Sequence, residues 1–169
     1  MQNDFVTGAL GSDEARAIVP GVKQKIKEYI DNGYEVIFTR DTHAENYLQT
    51  NEGKNLPVPH CIKNTSGWDI IPEIDIVDCE HIDKPSFGYT DWNIVVREDN
   101  LHHNRYFDEI EIIGVCTDIC VVSNALILKA LYPEISITVD ASCCAGVTPE
   151  THKAALTTMK MCQINVIGE

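Results

Sequence analysis

The sequence predicts an α/β fold, a parallel sheet covered by helices, and three observations predict it. Segments with helical spacing alternate repeatedly with short β-branched runs. The residues best suited to chemistry fall just after those runs, where ligands bind in open parallel sheets. The 169 residues hold no repeat, linker or low-complexity tract, so residues 1–169 read as one domain. A chain of this size buries roughly two thirds of its unfolded surface.

Residues 12–32 carry Val19, Val22, Ile26, Tyr29 and Ile30 at helical spacing, and Gly33 offers a left-handed stop. Pro20 either bends this helix or marks a later start. Residues 34–39, Tyr-Glu-Val-Ile-Phe-Thr, follow as a strand. Residues 40–71 are rich in Asn, Gly, Pro, Thr and His without a sustained period and read as a long loop, a feature often functional in compact domains. A short strand is expected over 81–84, a helix over 91–101 and a strand over 109–115. The next helix begins near Ile119, with Val122, Leu126 and Ala130 on one face, and the chain returns as a strand over 135–139. Thr148 caps a last helix with Pro149 just inside its start, and 163–167 closes as a strand.

The net charge of -13, with only 13 scattered Lys and Arg, argues against a nucleic-acid partner, because such affinity needs clustered cations. No segment approaches the ~18 apolar residues of a membrane span. Seven cysteines at irregular spacing, with neither a CxxC pair nor a signal peptide, suit a reducing cytoplasm. Most of these thiols are expected to be small core residues.

Gly114 to Val121 reads Gly-Val-Cys-Thr-Asp-Ile-Cys-Val, a strand breaking into a tight turn before a helix. A thiol at a helix start feels the dipole and nearby N–H groups, which favour the thiolate, and those N–H groups can stabilise an oxyanion. Asp41, His43 and His60, with Glu45 and Glu52 close by, offer a carboxylate and two imidazoles to a divalent metal such as zinc, manganese or iron, in a spacing that matches no standard zinc module. Lys84 ends its strand, where a buried ammonium could hold an anion in its charged state. Read residue by residue, packing cysteines, a solvated polar loop and a surface lysine account for the same positions.

Taken in order, these pieces resemble the isochorismatase-like cysteine hydrolases, in particular their nicotinamidase branch. Gln2-Asn3-Asp4-Phe5 is similar to the segment after the family's first strand, Asp41-x-His43 and Pro59-His60-Cys61 to its metal site, and Lys84-Pro-x-x-Gly and Thr117-Asp-x-Cys120-Val to its catalytic lysine and nucleophile. The resemblance implies a three-layer α/β/α domain with a mostly parallel, doubly wound sheet. It implies attack by Cys120 on a small amide, loss of ammonia and hydrolysis of a thioester, with Lys84 keeping the anionic partners charged. Backbone N–H groups of Cys116 and Cys120 would form the oxyanion hole, with a cis peptide at Val115-Cys116. The metal ligands would be Asp41, His43 and His60, with Glu52 as the fourth and Glu45 its competitor. Phe5 and Trp68 would flank the substrate ring. Homo-oligomers are common among such relatives.

The resemblance also places a proton-accepting aspartate immediately before Met1, at the end of a central strand. The expectation is that the natural protein begins roughly eight to ten residues earlier, from the usual strand length. Asp4 is the nearest substitute acid within the sequence. Nicotinamide is the first substrate expected, since a histidine-rich metal loop is what isochorismate-cleaving relatives tend to lack. Another small-amide or isochorismatase-like hydrolase, or a non-catalytic ligand-binding member, are the alternatives. A redox role for Cys143-Cys144 or Cys116-Cys120 is disfavoured by the lack of a CxxC arrangement.

Overall fold

The computed structural model describes residues 1–96 and 107–169, which form two compact units, Met1–Ser86 and Phe87–Glu169. Both are α/β, and every pairing between their strands is parallel. Among the described residues the strands form two sheets rather than one. No described strand pairs with both of them.

In the first unit a short helix α1 (Asn3–Val6) precedes α2 (Asp13–Asp31). Ser12 caps α2 by accepting from the Ala15 N–H, and Ala15, Val22 and Ile26 bury its apolar side. Pro20 lies inside an unbroken helix. The helix ends on two reversed bonds, Gly33 N–H to the Ile30 carbonyl and Tyr34 N–H to the Tyr29 carbonyl, with Gly33 at φ +77°. Tyr34 also packs its ring on Tyr29, 4.9 Å between centroids. This explains why strand β1 (Ile37–Asp41) starts later than the β-propensity of 34–39 suggests: Tyr34 completes the helix cap.

Strand β2 (Glu80–Lys84) pairs with β1 in a register that sets Asp41 beside Lys84, the last residue of each strand. The stretch 40–71 is more ordered than a loop. It holds a 3-10 turn at Tyr47–Gln49, helix α3 (Asn51–Asn55) and a bridge between His43 and Ile62. Short helices of this kind carry too few residues to show a period.

In the second unit, α4 (Trp92–Val95) covers only the start of the helix expected over 91–101; the rest of that stretch lies outside the described residues. Strand β3 (Glu109–Val115) matches the expected bounds and pairs with β4 (Ser136–Ala145), which pairs with β5 (Asn165–Ile167). A bulge lets β4 run past Val139: the register moves from Ile112 beside Val139 to Gly114 beside Cys144. Asp140 Oδ1 closes the bulge by accepting from both the N–H and the hydroxyl of Ser142. Asp-Ala-Ser therefore reads as the end of a strand while serving as a kink within one.

Between β3 and β4 the chain makes a π turn (Thr117–Val121) and continues directly as α5 (Val122–Leu131). Helix α6 (Pro149–Met161) opens with Thr148 accepting from the Thr151 N–H and the Thr151 hydroxyl closing a capping box. Ile137, Val139, Ala125, Leu128, Leu156 and Met159 are all buried and form the heart of this unit.

Candidate metal centre and nucleophile turn

Four side chains of the first unit, Asp41, His43, Glu52 and His60, offer ligand atoms that all lie within 4.8 Å of one another. Asp41 arrives at the end of β1 and His43 two residues later, held by reciprocal backbone bonds with Cys61 and Lys63. Glu52 stands in the first turn of α3. There Gly53 lies so close under the 3-10 turn that a Cβ would run into the Tyr47 carbonyl. His60 is fixed by its Nδ1, 2.8 Å from the Val58 carbonyl, which leaves Nε2 facing the cluster.

Asp41 Oδ2 is 3.1 Å from His43 Nε2 and 3.4 Å from His60 Nε2, while Glu52 Oε1 is 3.5 and 3.8 Å from the same two nitrogens. Asp41 and His60 are each only 3% exposed. Burial alone would raise the Asp41 pKa, but hydrogen bonds from His43 and His60 and the Lys84 ammonium outweigh it and hold the carboxyl well below its usual range. At His60 burial opposes protonation, yet Asp41, the Val58 carbonyl and Glu52 together push the imidazole above its ordinary value. Lone pairs from two carboxylates and two imidazoles thus converge on one point, a donor set that fits a divalent cation. Glu45, by contrast, is exposed and stands apart from the cluster.

Lys84 is 2% exposed, with Nζ 3.4 Å from Asp41 Oδ1 and 3.1 Å from the Ser86 carbonyl. Phe5 sets its ring edge-on to His60 at 5.6 Å. Trp68 is buried under the Arg40 guanidinium, 3.8 Å above its ring, and gives its indole N–H to Thr42 Oγ1, between Asp41 and His43 in sequence.

Three further residues of this unit support the cluster. Tyr47 walls it, 4.7 Å from the His43 ring and 5.0 Å from the His60 ring, and burial, with the Glu52 and Asp41 carboxylates, raises its phenol pKa. Gln2 accepts from the Asp41 N–H and donates to the Asp41 and Trp68 carbonyls. Asp4 accepts from the Cys61 and Ala9 N–H groups, so its carboxylate holds the loop. The signal for Tyr47 is an aromatic four residues after a candidate ligand; for Gln2 and Asp4 it is the Gln2-Asn3-Asp4-Phe5 segment, in which Asp4 is also the nearest substitute acid.

The second unit carries the nucleophile candidate. Val115-Cys116 is a cis peptide, and Cys120 sits in the π turn that follows. The N–H groups of Ile119 and Val121 both donate to the Cys116 carbonyl, at 3.2 and 3.0 Å. Thr117, fully buried, shares a 2.8 Å hydrogen bond with His152 Nδ1, and both Asp118 oxygens accept from the Val147 N–H. Cys120 and Cys116 are partly exposed, as is Cys79; Cys61, Cys143 and Cys144 are buried and Cys162 is exposed.

Comparison with known proteins places this geometry. The chain is 32% identical over 168 residues to an uncharacterized isochorismatase family protein, PncA, of Bacillus subtilis, covering 91% of this chain and 87% of that one. It is 26% identical to the nicotinamidase/pyrazinamidase of Mycobacterium tuberculosis over 99% of this chain and 94% of that protein. The crystal structure of the pyrazinamidase of Pyrococcus horikoshii in complex with zinc superposes with a TM-score of 0.80 at 28% identity, covering 100% of this chain and 95% of that one. The family model for the isochorismatase domain matches residues 1–168. The chain therefore belongs to the isochorismatase family and is a hydrolytic enzyme of it.

Proposed function

We propose that this enzyme hydrolyses a small amide, nicotinamide first, to the carboxylic acid and ammonia. The observation that carries the reading is the cluster of buried Asp41, His43 and His60 with half-buried Glu52, a donor set suited to a divalent metal in a chain whose relatives include a nicotinamidase/pyrazinamidase and a zinc-bound pyrazinamidase. The family model runs through both compact units, which supports taking residues 1–169 as one hydrolase domain.

Cys120 is the proposed nucleophile. Its thiolate attacks the amide carbon, the C–N bond breaks, and the nitrogen leaves as ammonia after gaining the proton that the thiol gave up. Water then cleaves the thioester to release the acid and restore the thiol. The Cys116 and Cys120 N–H groups stabilise the oxyanion in both halves. Lys84 holds positive charge beside Asp41 and so keeps the anionic partners ionised. Asp41, His43, Glu52 and His60 would hold zinc, manganese or iron. Such an ion supplies a Lewis-acid contact for a substrate lone pair, such as that of a pyridine nitrogen. Phe5 and Trp68 are proposed to bound the substrate ring. A cytoplasmic homo-oligomer acting on a small amide, without a nucleic-acid or membrane partner, completes the proposal.

The test is ammonia release from nicotinamide by the metal-replete protein beside a Cys120→Ala control. Release that the substitution abolishes supports the reading. Absence of release from nicotinamide, with other small amides cleaved, moves the enzyme to a different amide.

A further inference from the structure

Asn124 stands one helical turn beyond Cys120, 5% exposed, at a position where the interior of a helix does not favour asparagine. All four of its hydrogen-bonding capacities are used. Its Nδ2 donates to the Cys120 carbonyl at 2.8 Å and to the Phe87 carbonyl at 3.1 Å. Its Oδ1 accepts from the Tyr89 N–H at 2.9 Å and the Trp92 indole N–H at 3.1 Å. One side chain therefore joins the nucleophile's own peptide to the segment that runs from Phe87 to Trp92.

The peptide unit after Cys120 is gripped at both ends. Its N–H, on Val121, donates to the Cys116 carbonyl, and its C=O receives Asn124 Nδ2. Rotation about the Cys120 backbone would break one of the two. The same grip fixes Cys116, whose carbonyl takes both turn N–H groups.

We infer that Asn124 is a positioning residue, which sets the orientation of the Cys120 backbone, and with it the thiol and the turn's N–H groups, through the bond from Nδ2 to the Cys120 carbonyl. This rests on the reading of Cys120 as the nucleophile. The loop bonds at Oδ1 are a separate, structural duty of the same amide. A thiol displaced by about an ångström loses on the order of a hundredfold in rate, so an effect on turnover is expected even where the fold survives.

Threonine and valine at position 124 separate the two duties. They share a shape, and neither reproduces the full set of loop bonds, but threonine can donate its hydroxyl to the carbonyl four residues back, which here is that of Cys120. The expected result is a kcat for Asn124→Thr at least about tenfold above that of Asn124→Val, with KM for nicotinamide unchanged between them. Equal kcat values in two equally folded variants would overturn the inference. The rate of Cys120 alkylation by iodoacetamide, read by peptide mass, gives a second measure that needs no substrate. Faster alkylation in the threonine variant supports the grip even if nicotinamide proves to be the wrong amide. Indistinguishable alkylation overturns it whatever the substrate. Should either variant fail to fold, Asn124→Asp keeps the Oδ1 acceptor and sets an ionised oxygen against the Cys120 carbonyl; alkylation as fast as in the unaltered protein would then reject the inference, and tenfold slower alkylation would support it.

Discussion

Replacing Lys84 with methionine keeps a side chain of similar length and removes the charge. With Nζ 3.4 Å from Asp41 Oδ1, the gross attraction is about 5 kcal/mol at an effective dielectric of ~20. Part of it is returned, because the variant no longer buries an ammonium. Asp41 also retains its hydrogen bonds from His43 and His60. Breaking one side of a buried pair costs about 3 to 5 kcal/mol, and these remaining partners put the expectation near ~3. Urea unfolding with a chelator present measures it. Saturating zinc should shrink the loss, since the ion then neutralises the carboxylate that Lys84 left behind and binds the variant more tightly. Adding Asp41→Asn under chelation should recover most of the stability lost by Lys84→Met. A loss of the same size with and without zinc, or one undiminished in the double variant, would refute the electrostatic account of Lys84.

Glu52→Gln should weaken zinc binding at least ~10-fold in competition with a chromogenic chelator, whereas Glu45→Gln, outside the cluster, leaves it unchanged. Gly33→Ala forces a side chain into φ +77° with no atom nearby to collide with, so thermal unfolding should show a purely conformational loss of about 1–2 kcal/mol. Burial, aided by Cys143, Asp140 and Glu111, pushes the Cys144 thiol up to about 12 from 9.0. Between those values the unfolded chain releases this proton and the folded chain keeps it. Its contribution to stability is therefore complete below pH 9 and falls as pH rises toward 12, by at most ~1.4 kcal/mol per pH unit. Urea midpoints from pH 8 to 10.5 should fall less steeply in Cys144→Ala; parallel slopes would reject the assignment.

Much of this was legible because local chemistry and tertiary structure agree. Residues 109–115 are apolar and β-branched, and become β3 as expected; Thr148 and Pro149 open α6 as their side chains dictate. The expectation fails where one residue serves two neighbours. Tyr34 has strand propensity but is spent on the end of α2, and Asp140 looks like a terminator but closes a bulge. In the site, Asp41, His43 and His60 were visible as metal-loving types near one another in sequence. The preference for Glu52 over Glu45 rests on resemblance; the α3 turn on Gly53 is what sets Glu52 beside Asp41, His43 and His60. Asn124 carries no signal in the sequence, because nothing in its neighbours' identities tells that Cys120, Phe87, Tyr89 and Trp92 all aim at it.

Gln2 bears on how tolerance to change should be read in this enzyme. Its amide offers Asp41 one acceptor and one donor, the two groups a neighbouring peptide would offer, and its own backbone bridges to Ile70. A side chain is thus standing in for main chain. Neither glutamate nor lysine can imitate a peptide in that way, and asparagine is a methylene short. In a scan of every substitution, position 2 is therefore expected to be as unforgiving as Asp41 itself, whose backbone it holds. Ranking positions by intolerance alone would count it among the chemical residues when its contribution is to act as backbone.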